Sequence, residues 1–303
     1  RVPYDALVIA TGAHARTLPN AEGLSGVHVL RTLDDALAIK ACLAEQPRVA
    51  IVGAGFIGLE VAASCRKLGL SVDVIEPEVL PLARVLGAEV GRSIVRMHED
   101  QGVRFHLQTQ VVALEGAERV ERVRLSSGTT LDADLVVVGI GVVPATDWLE
   151  SAGVELDQGV VCDQRCRTNV PDVFAIGDVA RFPNPLFDET MRVEHWSNAV
   201  EQAGAAAESL LAGQGAVKPY APVPYFWSDQ YDVKLQFAGR VRAGDDFEVV
   251  QGSLSERSYV VVYGREGRLR GVLTSNKPQL LIRGRRMLNE RLSYEAAIAA
   301  ARA

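Results

Sequence analysis

Val49-Ala50-Ile51-Val52-Gly53-Ala54-Gly55-Phe56-Ile57-Gly58 decides the fold. The apolar run reads as a strand buried on both faces. The three glycines follow it in the spacing Gly-x-Gly-x-x-Gly, where a strand passes into a helix. Each glycine has a separate role. Gly53 permits the tight turn, Gly55 lets the backbone approach a pyrophosphate, and Gly58 lets helix and strand pack closely. The helix that opens here runs through Lys67 and turns its free N–H groups and positive dipole end toward the phosphates. The following strand, Ser71 to Glu76, ends on an acid 18 residues past Gly58, where it can accept hydrogen bonds from the adenosine ribose hydroxyls. An acid there repels a 2′-phosphate, so NADH is expected over NADPH; Arg84, nearby, is the residue able to accommodate that phosphate. Phe56 and Ile57 inside the motif, and Gly141 in a later glycine turn, complete the expected NAD contacts. Glu60, two residues beyond Gly58, reads from spacing alone as an ordinary first-turn acid facing the helix dipole.

Working outward, short β-rich runs alternate with amphipathic helices, the pattern of an α/β fold with a parallel sheet. Leu33 to Leu43 and Ala88 to Asp100 read as helices, Val103 to Leu107 and Leu135 to Val138 as strands, and residues 109–125 as a β meander. After Pro144 the character changes to short strands and turns over 153–177, then an Ala-rich helix from about Asn198 to Leu211. Gly213-Gln214-Gly215 and Pro219 to Pro224 form a linker. Strands near 233–238, 246–252, 258–263 and 269–274, with two short helices after Pro278, make an α+β unit of their own.

Composition narrows the function. The 303 residues are 48% hydrophobic and 23% charged, ordinary for a globular chain and unlike disorder. With 32 basic against 38 acidic residues, the net charge of −6 offers nothing to nucleic acid or an anionic membrane surface. No run of about 18 apolar residues is present to span a bilayer. Cys42, Cys65, Cys162 and Cys166 form no CxxC pair and have no histidines at zinc-site spacing, so they read as unpaired thiols of the cytoplasm. The histidines are scattered, His195 reading as a packing or hydrogen-bonding residue, and no Ser/His/Asp, Cys/His or paired-carboxylate constellation appears.

Three further segments end a strand on a glycine turn: Ala10-Thr11-Gly12, Leu135 through Gly141, and Asp172-Val173-Phe174-Ala175-Ile176-Gly177-Asp178. Singly each is only a turn. Together they resemble the FAD-dependent pyridine-nucleotide oxidoreductases, flavoproteins with two dinucleotide-binding domains. Glu194-His195-Trp196-Ser197-Asn198-Ala199 and Pro224-Tyr225-Phe226-Trp227-Ser228-Asp229-Gln230-Tyr231 resemble, more narrowly, the ferredoxin reductases that serve bacterial cytochrome P450 and ring-hydroxylating oxygenase systems.

That resemblance implies an α/β fold in which a Rossmann-like NAD domain (24–142) is inserted in an FAD domain (1–23 and 143–214), followed by a C-terminal α+β reductase domain (215–303). It implies FAD and NAD as cofactors, and electron transfer from NADH through FAD to a 2Fe–2S ferredoxin that feeds a P450 or Rieske-type oxygenase. Thr11, Gly12, Arg31, Asp178, Val179 and Trp196 would then lie against FAD, with Asp178 on the ribityl chain and Val179 offering a backbone N–H. Glu60 becomes a nicotinamide contact, and Trp227 sits by the flavin edge where electrons leave. Core packing is the commoner fate of both tryptophans. Arg283, Arg285, Arg286 and Arg291 form a run that could dock an acidic ferredoxin, although a solvated helix face is the usual meaning of such a run.

The family opens with its own βαβ unit carrying a first Gly-x-Gly-x-x-Gly. Here Arg1 is followed at once by the strand-like Tyr4 to Ala10, so the flavin domain is expected to be partial. Two rivals share the layout: a disulfide reductase of the glutathione or lipoamide type, and a non-catalytic protein similar to apoptosis-inducing factor.

Overall fold

The computed structural model describes residues 2–19, 21, 23–213 and 215–303. Arg1 and Gln214, the latter in the middle of the glycine linker, lie outside the described residues. The decisive stretch forms strand β4 (Val49–Val52) and the start of helix α2 (Phe56–Lys67). β4 is central in a five-stranded parallel sheet of order β3 (Val27–Val29), β10 (Leu135–Val138), β4, β5 (Val72–Glu76), β6 (Arg104–Leu107). All residues of β4 and β10 are buried, as expected for parallel strands covered on both faces.

The period of two along β4 sorts the two faces. Ala50 and Val52 pack with Val120, Val123 and Leu125 of a three-stranded meander, β7 (Val111–Glu115), β8 (Arg122–Leu125) and β9 (Thr130–Asp132). Val49 and Ile51 pack instead with Leu59, Ala62 and Cys65 of α2, and with Val90, Ile94 and Met97 of α4 (Ala88–Asp100). Helix α1 (Leu33–Leu43) starts where its sequence dictates: Thr32 caps the Asp35 N–H while the Asp35 carboxylate returns to the Thr32 N–H. A short helix α3 (Ala83–Leu86) leads into α4.

Around this unit lie the elements that begin and follow it. β1 (Leu7–Ile9) pairs in parallel with β13 (Val173–Ala175), and β2 (Ala13–Ala15) antiparallel with β11 (Val142–Pro144). β12 (Val160–Val161), β14 (Ala180–Asn184) and β15 (Glu189–Arg192) form a small sheet, followed by helix α5 (Trp196–Ala212). α5 starts two residues before the expected Asn198, so Trp196 occupies its first turn.

The C-terminal sheet is antiparallel, in the order β16 (Tyr225–Gln230), β17 (Val233–Gly239), β20 (Arg268–Ser275), β19 (Ser258–Arg265), β18 (Asp246–Ser253). Helices α6 (Pro278–Asn289) and α7 (Tyr294–Arg302) follow. The sequence pattern predicts four of these strands; β16 forms at the aromatic motif, where the pattern assigns no element. One face of the sheet, with Leu235, Phe237, Val261 and Tyr263, joins the α2/α4 core, and the other packs on α6, α7 and the small sheets. Edge strand β16 is thereby set against α2.

Candidate active site

The glycine turn is built by close approach. A Cβ on Gly58 would stand 2.1 Å from the Gly53 carbonyl oxygen, and one on Gly53, at φ +98°, would stand 2.4 Å from the Gly139 carbonyl. Neither position admits a side chain. Gly55 differs: a Cβ there would meet nothing within 4 Å, so the protein itself gives no steric reason for a glycine. Open backbone at a helix N-terminus is a cradle for an anion, and it fits a dinucleotide pyrophosphate. Glu76 closes the far side, accepting the Ala54 N–H at 2.7 Å and the Glu78 N–H at 3.0 Å. A carboxylate accepts more bonds than these two, so it keeps capacity for ribose hydroxyls. Arg84 is held in an ion pair with Glu78.

From this turn a cleft of about 640 Å³ opens toward β16 and α5. Phe56, Ile57 and Glu60 line one wall, Gly139 and Gly141 the strand-end side, and Trp196 and Trp227 the opposite wall. Both tryptophans are exposed, at 72% and 41%, against the core packing usual for the residue. The reason is position: Trp196 stands at the tip of α5, and Trp227 points outward from an edge strand. Their rings meet edge to face at 6.3 Å, Tyr225 lies 5.8 Å from Trp227, and the Arg285 guanidinium stands 5.1 Å over the Tyr225 ring.

The strand-end turns assemble a second group of residues. The Arg31 guanidinium bonds the Asp178 carboxylate at 2.7 Å and donates from Nε to the Ala13 carbonyl at 3.1 Å. A Cβ on Gly12, at φ +68°, would press on that guanidinium at 3.3 Å. Thr11 donates its hydroxyl to the Ala145 carbonyl at 2.9 Å. Asp178 lies in a single 3-10 turn, Gly177–Val179, whose first N–H is held by the buried Gln202 side chain at 2.8 Å. Val179 itself is fully buried. Thr11, Gly12, Arg31 and Asp178 thus converge at strand C-termini, a polar corner that fits a flavin side chain. Arg192, which the sequence did not single out, reaches in to the Asp178 carbonyl at 3.1 Å and pairs with Glu194 at 2.5 Å.

Glu60 is no solvated first-turn acid. It is partly buried, Ser228 donates its hydroxyl to Oε1 at 2.6 Å, and burial raises its pKa above the ordinary carboxylate value. The sequence did not single out Ser228, which the alternation of β16 turns inward with residues 226 and 230, away from Trp227. His195 is half-buried with its ring 5.1 Å from Phe226 and Nδ1 without a partner; burial lowers its pKa to about 4, so it packs as a neutral ring. The arginine run is divided among partners: Arg285 pairs with Glu201 at 3.2 Å, Arg286 with Glu290 at 2.7 Å, and Arg291 donates to the Pro185 carbonyl at 2.8 Å.

Residues 1–203 match the family described as pyridine nucleotide-disulphide oxidoreductase, and residues 225–303 match a family described as reductase C-terminal. The chain belongs to the pyridine nucleotide-disulphide oxidoreductases. It is 40% identical to rhodocoxin reductase of Rhodococcus erythropolis over 289 residues, covering 95% of this chain and 67% of that protein. It is 36% identical to putidaredoxin reductase CamA of Pseudomonas putida over 299 residues, covering 96% of this chain and 70% of that one. Among solved structures, the reductase in a covalent putidaredoxin reductase–putidaredoxin complex superposes with a TM-score of 0.90 at 34% identity, covering 99% of this chain and 76% of that chain. Within this disulphide oxidoreductase family, the described cysteines are poorly placed for thiol chemistry. Cys65, Cys162 and Cys166 are buried, which pushes their thiols up to about 11, 12 and 12, and none of the four lines the cleft. No helix among the described residues is long and apolar enough to cross a membrane.

Proposed function

We propose that this chain carries electrons from NADH, by way of FAD, to a 2Fe–2S ferredoxin that feeds a cytochrome P450 or a ring-hydroxylating oxygenase. The observation that carries this reading is the cleft joining the glycine turn and Glu60 on one wall to the tryptophans on the other, beside the Arg31–Asp178 corner. The turn would hold the nicotinamide end of a dinucleotide toward the cleft, and the corner would hold a flavin beside it. FAD, when bound, supplies the chemistry, accepting a hydride and releasing single electrons.

The chain's own residues bind, orient and shield. Gly53, Gly55 and Gly58 bring backbone N–H groups of the α2 N-terminus to the NAD pyrophosphate, flanked by Phe56 and Ile57, with Gly141 at the strand ends. Glu76 accepts from the ribose hydroxyls, and with Arg84 engaged by Glu78 it favours NADH over NADPH. Glu60 accepts from the nicotinamide carboxamide. Thr11, Gly12, Arg31, Asp178 and Val179 would hold the flavin, Asp178 through the ribityl hydroxyls and Val179 through its backbone N–H, with Trp196 beside the ring. Trp227 marks the edge nearest a docked ferredoxin, beside the guanidinium of Arg285. No side-chain base or nucleophile is required.

The same reading divides the chain into flavin segments 1–23 and 143–214, an NAD domain 24–142 and a reductase domain 215–303. It places the protein in the cytoplasm, in keeping with four free thiols among the described residues. Its test is steady-state reduction of cytochrome c by the flavin-loaded protein with NADH. The rate should depend on added ferredoxin, and a rate indifferent to ferredoxin sinks the proposal.

A further inference from the structure

Behind Glu60 the side chains of three elements are strung into one line of hydrogen bonds. Tyr231 Oη lies 3.0 Å from His98 Nδ1, His98 Nε2 lies 2.9 Å from Gln230 Oε1, Gln230 Nε2 donates to Ser228 Oγ at 3.0 Å, and Ser228 Oγ donates to Glu60 Oε1 at 2.6 Å. His98, Gln230 and Ser228 are each fully buried. Polar groups taken that far from water are costly unless bonded, and each of these is spent on the next.

The direction of donation follows from chemistry. An amide oxygen can only accept, so His98 Nε2 must carry the proton that meets Gln230 Oε1. Burial holds the His98 pKa down at about 4, so at neutral pH the ring is uncharged and its Nδ1 accepts from the Tyr231 hydroxyl. The amide of Gln230 then donates to Ser228, whose hydroxyl proton has the Glu60 carboxylate as its acceptor. The line begins at α4 and the β16–β17 turn and ends in the cleft, so it crosses the seam between the parallel sheet unit and the C-terminal sheet. It also explains a stretch of sequence. In Trp227-Ser228-Asp229-Gln230 the odd positions face out, while Ser228 and Gln230 face in toward α2 and α4.

We propose that His98, Gln230 and Ser228 are positioning residues for Glu60, fixing the carboxylate that meets the nicotinamide end of the dinucleotide. The inference rests on the reading of Glu60 given above. Ser228 holds one carboxylate oxygen in a set direction, Gln230 fixes the Ser228 hydroxyl, and neutral His98 fixes which way the Gln230 amide points. A carboxylate so held is already oriented when the ligand arrives, which removes an ordering cost from binding.

The experiment compares NAD⁺ with ADP-ribose, which keeps the adenosine and pyrophosphate but lacks the nicotinamide, by calorimetric titration of the flavin-loaded protein. Ser228→Ala should weaken NAD⁺ by roughly three- to tenfold, a fraction of what a hydrogen bond to a charged group contributes, and leave ADP-ribose within about twofold. Gln230→Leu should act in the same direction and more weakly. Glu60→Ala is the reference. If Glu60→Ala leaves the ratio of the two affinities unchanged, the placement of Glu60 at the nicotinamide is wrong. If Glu60→Ala shifts the ratio and both Ser228→Ala and Gln230→Leu do not, the relay is overturned. Equal weakening of both ligands by Ser228→Ala and Gln230→Leu marks a merely structural role and overturns it too.

Discussion

Replacing Gly55 with alanine separates binding from folding more cleanly than any other change in the glycine turn. Gly55 sits at the N-cap of α2 with φ −73° and ψ 178°, extended backbone that alanine adopts without strain. The added methyl would meet no protein atom within 4 Å. Stability should therefore move by no more than about 0.5 kcal/mol, or roughly 1–2 °C in melting temperature for a chain of this size. The methyl would nevertheless stand where the pyrophosphate must approach the helix N-terminus. Losing one charge-assisted backbone bond costs about 1.5–3 kcal/mol, a roughly 10- to 150-fold rise in Kd for NAD⁺.

Gly58 is the contrast. There the methyl would lie 2.1 Å from a backbone oxygen, against an ordinary contact of 3.4 Å or more, so strand and helix must part by more than an ångström. Gly58→Ala should lose stability and binding together. The assay is a thermal melt and an NAD⁺ titration on each variant beside the parent. Unchanged NAD⁺ affinity in a well-folded Gly55→Ala protein would refute the assignment of the open face of Gly55 to the pyrophosphate.

Other consequences are equally concrete. The pKa of buried His98 is lowered from 6.5 to about 4, so between those values the unfolded chain binds the extra proton and stability rises with pH. The full effect is about 3 kcal/mol, lost as pH falls from 6.5 to 4; urea midpoints at stepped pH should show a steeper slope for the parent than for His98→Gln, and equal slopes contradict it. Asp178→Ala removes the partner of Arg31, and flavin retained after gel filtration should fall several-fold while NAD⁺ binding stays; full flavin retention counts against the corner. Arg285→Glu breaks its pair with Glu201 and reverses charge beside Tyr225. It should slow ferredoxin reduction most at low salt and spare a small artificial acceptor, whereas an unaltered low-salt rate removes Arg285 from the docking surface.

What the sequence made legible follows from how local each signal is. The glycine turn, β4, α2 and the acid closing β5 lie within 28 consecutive residues, Val49 to Glu76, and their spacing encodes the geometry directly. Helices α1 and α4 were legible for the same reason, from apolar residues recurring along one continuous run. β2, β3 and β11 were not, because each is three residues long and broken or ended by a histidine or a proline, without the apolar run that marks the equally short β1 and β13. β16 was hidden by its aromatic and polar content, and its edge position explains why Trp227 is exposed although core packing is the commoner fate of a tryptophan.

Site residues brought together by distant loops were reached only through resemblance. Arg31 and Asp178 are 147 positions apart and meet at 2.7 Å. Ser228 and Glu60 are 168 apart, and no local pattern announces their bond. The arginine run, close together in sequence, is spread by the fold over separate partners, Glu201, Glu290 and the Pro185 carbonyl.

The most direct test of the account is a single turnover. Flavin-loaded protein reduced anaerobically by one equivalent of NADH is mixed with excess oxidised 2Fe–2S ferredoxin, and both chromophores are followed by stopped flow. Two ferredoxins should be reduced for each NADH consumed as the flavin reoxidises. A flavin that takes electrons from NADH yet passes none to the ferredoxin would contradict it.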